Sequence, residues 1–297
     1  TARPAGAAVT EADGRALLTR RPFAAHKNTF GHVLCVAGSR QYPGAPFLAG
    51  EAALRSGAGL TTVAVPAATP CPRHALALMT ARVGAEHDEV FPAGAVPALR
   101  HLLTGKSALV YGPGTGRGLE PDVLRLLLSS GLPLVIDADG LRLLAEHPGL
   151  LTAAPKATTP VILTPHPGEM AALLDGFRLA DYRHAARCEQ AKALAAATRA
   201  IVVLKGQGTI IASPGDEFPL HSLSGNPSLA TAGTGDILAG MVAAFLAQGL
   251  PPRDAAALAV FTHGHAADLA PAPQRSLIAD DLLALIPAAL ADLNPLA

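Results

Sequence analysis

The segment best suited to chemistry is a turn of small residues that ends in one carboxylate and leads into an apolar stretch. Gly233, Thr234, Gly235 and Asp236 follow one another there. If a helix begins at this turn, its unpaired N–H groups and positive dipole end would bind a phosphate. The glycines admit a ligand close to the backbone, Thr234 offers a hydroxyl donor, and Asp236 can accept a proton. The turn therefore predicts a site for phosphoryl chemistry.

Ordinary helix capping explains the same four residues, because Thr234 or Asp236 would satisfy orphan N–H groups of the first turn. Taken alone, the turn fits capping at least as well. Four further segments place glycine or a polar residue directly after a predicted strand. Ligand sites of α/β proteins lie at the carboxyl ends of strands, so the whole set favours a binding site.

Short apolar runs bounded by Gly, Pro or Asp predict the strands that position these turns. The runs cover residues 33–37, 60–65, 108–111, 134–136, 161–163 and 201–204. Helix-length stretches separate them, which predicts a three-layer α/β/α fold with a largely parallel central sheet. Residues 209–212 follow so closely that an antiparallel hairpin with the preceding strand is expected. Helices are predicted over 10–18, 46–56, 235–248, 253–269 and 280–290.

Composition limits the possible partners. The 297 residues are 50% hydrophobic and 15% charged with zero formal net charge, which gives no electrostatic reason to bind nucleic acid or acidic membranes. Cys35, Cys71 and Cys188 are scattered, so neither a disulfide framework nor a zinc site is indicated, and a cytoplasmic location is expected. No apolar run reaches the roughly 18 residues that span a bilayer. We expect an N-terminal arm over residues 1–19 and one domain over 20–297.

Seven segments in order resemble the ADP/ATP-dependent NAD(P)H-hydrate dehydratases, in the stand-alone dehydratase form. These segments are residues 26–31, 37–45, 111–116, 136–140, 164–169, 204–206 and 233–236. Each motif is weak alone, whereas seven in one order are specific. The resemblance implies a ribokinase-like fold and a lyase that repairs hydrated NADH and NADPH. The phosphate donor is then ADP, or ATP, with Mg²⁺, and ADP yields AMP and phosphate.

The resemblance also implies residue roles. Asp236 would be the catalytic base, with Gly233, Thr234 and Gly235 holding the developing charge. Substrate-binding positions would be Ala45, Gly116, His166 and Asp236, and nucleotide-binding positions Lys205, Gly206, Gln207, Gly208, Thr209 and Gly235. No metal ligands are assigned. A homo-oligomer, such as a tetramer, is expected, because apolar helices near both ends offer a symmetric interface.

Several of these side chains also have purely structural explanations. Lys205 fits a solvated lysine in a strand turn, and His166 fits a loop residue held between two prolines. Asp139 fits an N-cap, and Asp137 fits a paired structural carboxylate. Glu169 fits a favourable charge in the first turn of a helix, or a group that orients its loop.

Two other functions remain open at this stage. A small-molecule kinase, of the hydroxyethylthiazole or hydroxymethylpyrimidine type, would use the same Gly-Thr-Gly-Asp turn, since fold does not fix function. A non-catalytic nucleotide-binding protein would keep the pocket but has no need of Asp236.

Overall fold

A computed structural model describes residues 7–72, 76–118, 120–152, 160–270 and 277–293. These residues form one ten-stranded sheet with the order β1-β10-β9-β8-β7-β6-β5-β2-β3-β4. The strands are β1 Ala7–Val9, β2 His32–Val36, β3 Leu60–Pro66, β4 Met79–Val83, β5 Ala108–Tyr111, β6 Leu134–Ile136, β7 Val161–Leu163, β8 Ile201–Leu204, β9 Thr209–Ala212 and β10 Leu220–Ser222. Within the described sheet, only β9 runs antiparallel to its neighbours.

Helices cover both faces of this sheet. They are α1 Glu11–Leu17, α2 Ala45–Arg55, α3 Val96–Leu102, α4 Pro121–Leu128, α5 Asp139–Glu146, α6 Gly149–Thr152, α7 Pro167–Gly176, α8 Arg187–Thr198, α9 Thr234–Ala247, α10 Pro252–Asp268 and α11 Ala279–Leu293. Successive residues of a strand point to opposite faces. Val33 and Cys35 accordingly pack in the core below α2, α9, α10 and α11, while Leu34 and Val36 pack in the core with α4, α5, α7 and α8. The predicted three-layer α/β/α architecture is confirmed.

The central strands were all predicted, as was the hairpin, in which Leu204 of β8 pairs with Ile210 of β9. The sequence did not predict β1, β4 or β10. These strands lie at or near the sheet edges and are partly exposed, so their apolar signal is weak. The three cysteines are free thiols.

Residues assigned to the N-terminal arm join the fold. Strand β1 pairs with β10, and α1 contacts α10 and α11. Thr10 and Asp13 form a capping box at the start of α1. The boundary at residue 20 stays a prediction.

The helices near the C-terminal end of the chain are apolar because they pack in the hydrophobic core. Helix α9 is buried along most of its length and contacts α2 and α10, as well as β2, β5 and β6. Its apolarity is therefore no reason to expect a subunit interface, and the oligomeric state stays a prediction. No helix that the structure describes has both the length and the apolarity to cross a bilayer.

Candidate functional site

A buried lysine lies at the centre of the candidate site. Lys205 follows β8, and its Nζ is 2.7 Å from Asp137 Oδ1 and 3.8 Å from Glu169 Oε2. The Thr164 hydroxyl, at the end of β7, donates to the same Asp137 oxygen over 2.8 Å. Parallel strands end at one edge of the sheet, which brings these residues of β6, β7 and β8 together. Lys205 is therefore part of a buried ion pair, and the solvated-lysine interpretation is wrong.

The charges of this cluster are strongly coupled. Burial alone would lower the pKa of the Lys205 ammonium, but the negative charges of Asp137 and Glu169 outweigh burial and raise it. Burial also raises the pKa of the Glu169 carboxyl, an effect that the Lys205 charge only partly offsets. Asp137 is 1% exposed, and Lys205 is its partner in the ion pair. The structural interpretation of Asp137 as a paired carboxylate is confirmed.

Asp236 lies in the first turn of α9, facing this cluster. The pKa of the Asp236 carboxyl is raised to about 7, chiefly by burial and next by the charge of Asp137, while the charge of Lys205 acts in the opposite direction. The carboxylate is half-buried and forms no hydrogen bond or ion pair with any described residue. A carboxylate with a near-neutral pKa and a free face has the properties of a general base.

The turn before α9 has the geometry of an anion site. Gly233 adopts the left-handed conformation with φ +90°, and the N–H groups of Gly235 and Asp236 donate to no residue in the described part of the chain. A Cβ atom on Gly235 would lie 3.3 Å from Lys205 Nζ, so the lysine ammonium lies next to the N-terminus of α9. Thr234 differs, because its hydroxyl lies 2.8 Å from the Leu229 carbonyl and 2.9 Å from the Thr231 carbonyl. That hydroxyl stabilises the turn.

His263 of α10 supports the same turn from behind. Its Nε2 lies 2.9 Å from the Thr234 carbonyl, and burial lowers the pKa of the imidazole to about 4. The ring is therefore neutral near pH 7, and Nε2 carries the proton that it donates. No sequence motif predicts this contact.

His166 and Glu169 form a reciprocal cap at the start of α7. His166 Nδ1 accepts from the Gly168 N–H at 3.0 Å and the Glu169 N–H at 3.3 Å, while Glu169 Oε2 accepts from the His166 N–H at 2.8 Å. Because Nδ1 is an acceptor here, the proton of the neutral ring is on Nε2. The imidazole is more than half exposed, and its Nε2 lies 3.5 Å from Glu169 Oε1.

Asp139 connects two loops at the sheet edge. Its Oδ2 accepts from the Gly116 N–H over 2.7 Å, and Arg142 binds both Asp139 Oδ1, at 2.9 Å, and the Gly116 carbonyl, at 3.0 Å. Ala138 occupies the N-cap position of α5, so the N-cap interpretation of Asp139 is wrong. The contact instead fixes the loop that carries Gly116.

An open cavity of about 490 Å³ lies beside Gly116. Its walls include Ser39, Tyr42, Arg117 and Asp139. Ala45, the first residue of α2, borders the same loops, since a Cβ atom on Gly114 would lie 2.8 Å from the Ala45 Cβ. The predicted substrate positions Ala45 and Gly116 thus belong to adjoining loops.

The predicted nucleotide loop, residues 205–209, lies between β8 and β9. Gly206 and Gly208 have φ values of +135° and +63°, and the Thr209 hydroxyl donates to the Gly206 carbonyl over 3.0 Å. Lys205, the first residue of this loop, has its Nζ beside the start of α9, where a Cβ atom on Gly235 would lie 3.3 Å from it. Gln207 contributes its carbonyl to an arginine of α8, which sequence reasoning missed.

The described residues contain no group of three or more His, Cys, Asp or Glu side chains placed to hold a metal ion. The acidic residues nearest Asp236 are already engaged: Asp137 by Lys205, Asp139 by Gly116 and Arg142, and Glu169 by the His166 N–H. Such a set fits a Mg²⁺ ion that is held mainly by water and nucleotide phosphates.

Comparison with known proteins places these features in a family. A family model described as NAD(P)H-hydrate dehydratase matches residues 33–288. The bifunctional NAD(P)H-hydrate repair enzyme Nnr of Moorella thermoacetica is 40% identical over 295 residues, which cover 96% of this chain and 54% of that protein. The chain therefore spans about half the length of the curated relatives it matches.

Two solved structures share the fold. A ribokinase-like superfamily protein of Enterococcus faecalis superposes with a TM-score of 0.79 at 28% identity, covering 97% of this chain and 96% of that one. The ADP/ATP-dependent NAD(P)H-hydrate dehydratase of Bacillus subtilis, co-crystallised with ATP and Mg²⁺, has a TM-score of 0.78 at 30% identity, with 97% and 99% coverage. The predicted ribokinase-like fold is confirmed.

Proposed function

This chain belongs to the NAD(P)H-hydrate dehydratase family, and from that premise we propose that it is an ADP-dependent (6S)-NAD(P)H-hydrate dehydratase. The reaction is a hydro-lyase reaction that returns NADHX and NADPHX to NADH and NADPH, with release of AMP and phosphate. The observation that carries the proposal is Asp236, a half-buried carboxylate whose pKa is raised to about 7 at the start of a helix with free N–H groups.

The chemistry follows from the poor leaving ability of hydroxide. Asp236 accepts the proton of the substrate hydroxyl while the hydroxyl oxygen attacks the terminal phosphorus of ADP. The new P–O bond forms as the bond to the AMP oxygen breaks. Electrons of the ring nitrogen then expel phosphate from C6, and loss of a proton from C5 restores the dihydronicotinamide ring. Atoms and charges balance as hydrate plus ADP going to reduced dinucleotide, AMP, phosphate and one proton.

The turn before α9 and Lys205 would stabilise the transferred phosphoryl group. The free N–H groups of Gly235 and Asp236 supply neutral donors, and Gly233 gives the turn its left-handed bend. Thr234 contributes through the backbone of the turn. Preorganised donors of this kind act on the charge that develops in the transition state.

The substrate would bind across the adjoining loops that carry Ala45 and Gly116, with the His166 Nε2–H as a donor. The nucleotide would bind along Lys205, Gly206, Gln207, Gly208, Thr209 and Gly235. Supporting this division, Lys205 belongs to the loop 205–209, and its ammonium lies close enough to the proposed base Asp236 to affect its pKa.

We include Mg²⁺ and a nucleoside phosphate donor in the proposal. The related protein of Bacillus subtilis is described as ADP/ATP-dependent and was co-crystallised with ATP and Mg²⁺. When bound with the phosphates, the cation would neutralise part of their negative charge. A homo-oligomer, such as a tetramer, a cytoplasmic location, and no nucleic-acid or membrane partner complete the proposal.

The decisive experiment is a nucleotide-dependent assay on purified protein. NADHX or NADPHX is incubated with Mg²⁺ and ADP, or ATP, and recovery of the reduced-nicotinamide absorbance is followed together with AMP release. We expect recovery with ADP, and a loss of turnover by about 10² to 10⁴ in Asp236→Asn with nucleotide binding preserved. Phosphorylation of a thiazole or pyrimidine alcohol without recovery from NADHX would instead identify a small-molecule kinase. Nucleotide binding with neither activity would identify a binding protein.

A further inference from the structure

Every backbone carbonyl of the loop between β8 and β9 accepts a hydrogen bond from a side chain of the protein. Arg187, the first residue of α8, donates four hydrogen bonds to it. Its Nη2 reaches the carbonyls of Leu204 at 3.1 Å and Lys205 at 3.0 Å, and its Nη1 reaches those of Gln207 at 2.5 Å and Gly208 at 3.4 Å. The remaining carbonyl, of Gly206, accepts from the Thr209 hydroxyl.

The backbone N–H groups of the same loop, after that of Lys205, have no hydrogen-bond acceptor among the described residues. The N–H groups of Gly206, Gln207 and Gly208 donate to no other residue that the structure describes. In a trans peptide the C=O and N–H bonds point in opposite directions. Carbonyls of Lys205 and Gln207 that face Arg187 therefore direct the N–H groups of Gly206 and Gly208 away from it. The Lys205 N–H follows this rule, because it donates to the carbonyl of Pro165, in the loop after the neighbouring strand β7, over 2.8 Å.

We propose that Arg187 is a positioning residue for nucleotide binding, which orients the loop 205–208 so that its amides face the phosphates of the donor. The inference rests on the proposed nucleotide-dependent function. Successive free N–H groups in a turn of alternating conformation form a concave anion site. Arg187 itself lies behind the loop and needs no contact with the ligand.

The surroundings of Arg187 fit this role better than that of an ordinary surface ion pair. Among the described residues no carboxylate forms a salt bridge with its guanidinium, whereas Arg183, one turn earlier in the chain, pairs with Asp175 at 3.3 Å. Burial lowers the pKa of the Arg187 guanidinium, which nevertheless stays charged. Its planar guanidinium donates to four carbonyls, those of Leu204 and of three loop residues. A lysine ammonium cannot reproduce this geometry.

The experiment separates positioning from general stability. Arg187→Met removes the donors at similar length, and Arg183→Met is the matched control, since it removes an exposed arginine that does not contact the loop. For Arg187→Met we expect KM for ADP to rise at least tenfold, about 1.4 kcal/mol. At saturating ADP, kcat and KM for NADHX should change less than about twofold. Arg183→Met should resemble the wild-type protein in all three constants.

Two further variants keep the test decisive if Arg187→Met folds poorly. Arg187→Lys should retain the fold and still show the raised KM for ADP. In Arg187→Ala, low-millimolar guanidinium should restore ADP binding, whereas the same concentration of ammonium should not. An unchanged KM for ADP in folded Arg187→Lys, or an equal loss of kcat with no change in KM, would overturn the inference.

The proposed function and this inference fail in different ways. ADP binding measured by calorimetry, without any hydrated dinucleotide, reports only on the loop. Wild-type protein that binds ADP but leaves NADHX unchanged would refute the dehydratase proposal. If Arg187→Met then loses the ADP binding, the role of Arg187 still stands. If wild-type protein dehydrates NADHX and Arg187→Met binds ADP equally well, only the inference fails.

Discussion

Replacing Asp236 by asparagine should make the folded protein more stable while it removes the proposed catalytic base. The pKa of the Asp236 carboxyl is raised from 3.8 to about 7, chiefly by burial, so the folded chain holds the ionised form at a cost. Asparagine has the same shape and no charge to desolvate. A charge that is held in a buried position for function is a common reason why a substitution that removes activity increases stability.

The size of the effect follows from proton linkage. Raising a pKa from 3.8 to about 7 corresponds to at most about 4 kcal/mol, since one pKa unit is worth about 1.4 kcal/mol. Asp236 is only half-buried and solvent screens its charge, so we expect about 1–3 kcal/mol. Well below pH 3.8 the carboxyl is protonated in both folded and unfolded chains, and the cost is absent. It grows as pH rises towards about 7 and is complete above that value.

Urea unfolding of wild-type protein and Asp236→Asn at about pH 4.5 and about pH 8 measures this directly. We expect the variant to be more stable at the higher pH and its advantage to be clearly smaller at the lower one, where only part of the cost has developed. Asp122→Asn, at the exposed start of α4, is the control and should change the free energy of unfolding by less than about 0.5 kcal/mol at either pH. A gain that is the same at both pH values, or a loss at the higher one, would refute the reasoning.

Three more outcomes follow from the same cluster. Because Asp236 acts as a base only when ionised, kcat/KM should rise as pH increases through about 7, and a profile that is flat from pH 5 upwards would contradict this. Lys205→Met leaves Asp137 buried without its partner, so the free energy of unfolding should fall by about 3–5 kcal/mol in urea titrations, and KM for ADP should rise. Gly235→Ala would place a Cβ 3.3 Å from Lys205 Nζ and should reduce turnover at least about tenfold. Gly94→Ala, whose Cβ would meet nothing within 4 Å, should leave the rate unchanged.

The central sheet was predictable because its strands are buried on both faces and read as continuous apolar runs. Strand β4 shows the limit of that signal. Its residues Met79–Val83 are mostly exposed and include Thr80 and Arg82, so no apolar run marks them. The strand forms because β3 offers it a free edge, and that edge exists only in the folded sheet. Edge strands depend on the partner rather than on their own sequence.

In the candidate site, too, the sequence predicts local features, whereas contacts between distant parts of the chain appear only in the structure. The turn at Asp236 was predictable because glycine next to a carboxylate before an apolar stretch is a local pattern. Lys205 and Asp137 are 68 residues apart, and only the parallel order of β6, β7 and β8 brings them to 2.7 Å. The Arg187 contacts go to backbone carbonyls, which every residue possesses. Since such a partner carries no side-chain signature, no motif could have revealed the contact.

The use of backbone amides near Asp236 has an electrostatic reason. A phosphate could be held more tightly by additional lysines, but each added cation would lower the pKa of Asp236, as Lys205 already does. A base whose pKa falls far below the working pH takes a proton from an alcohol less readily. The N–H groups of α9 and of the loop 205–208 attract phosphate without carrying a net charge. Glycine-rich turns therefore allow the same edge of the sheet to bind an anion and to keep a basic carboxylate beside it.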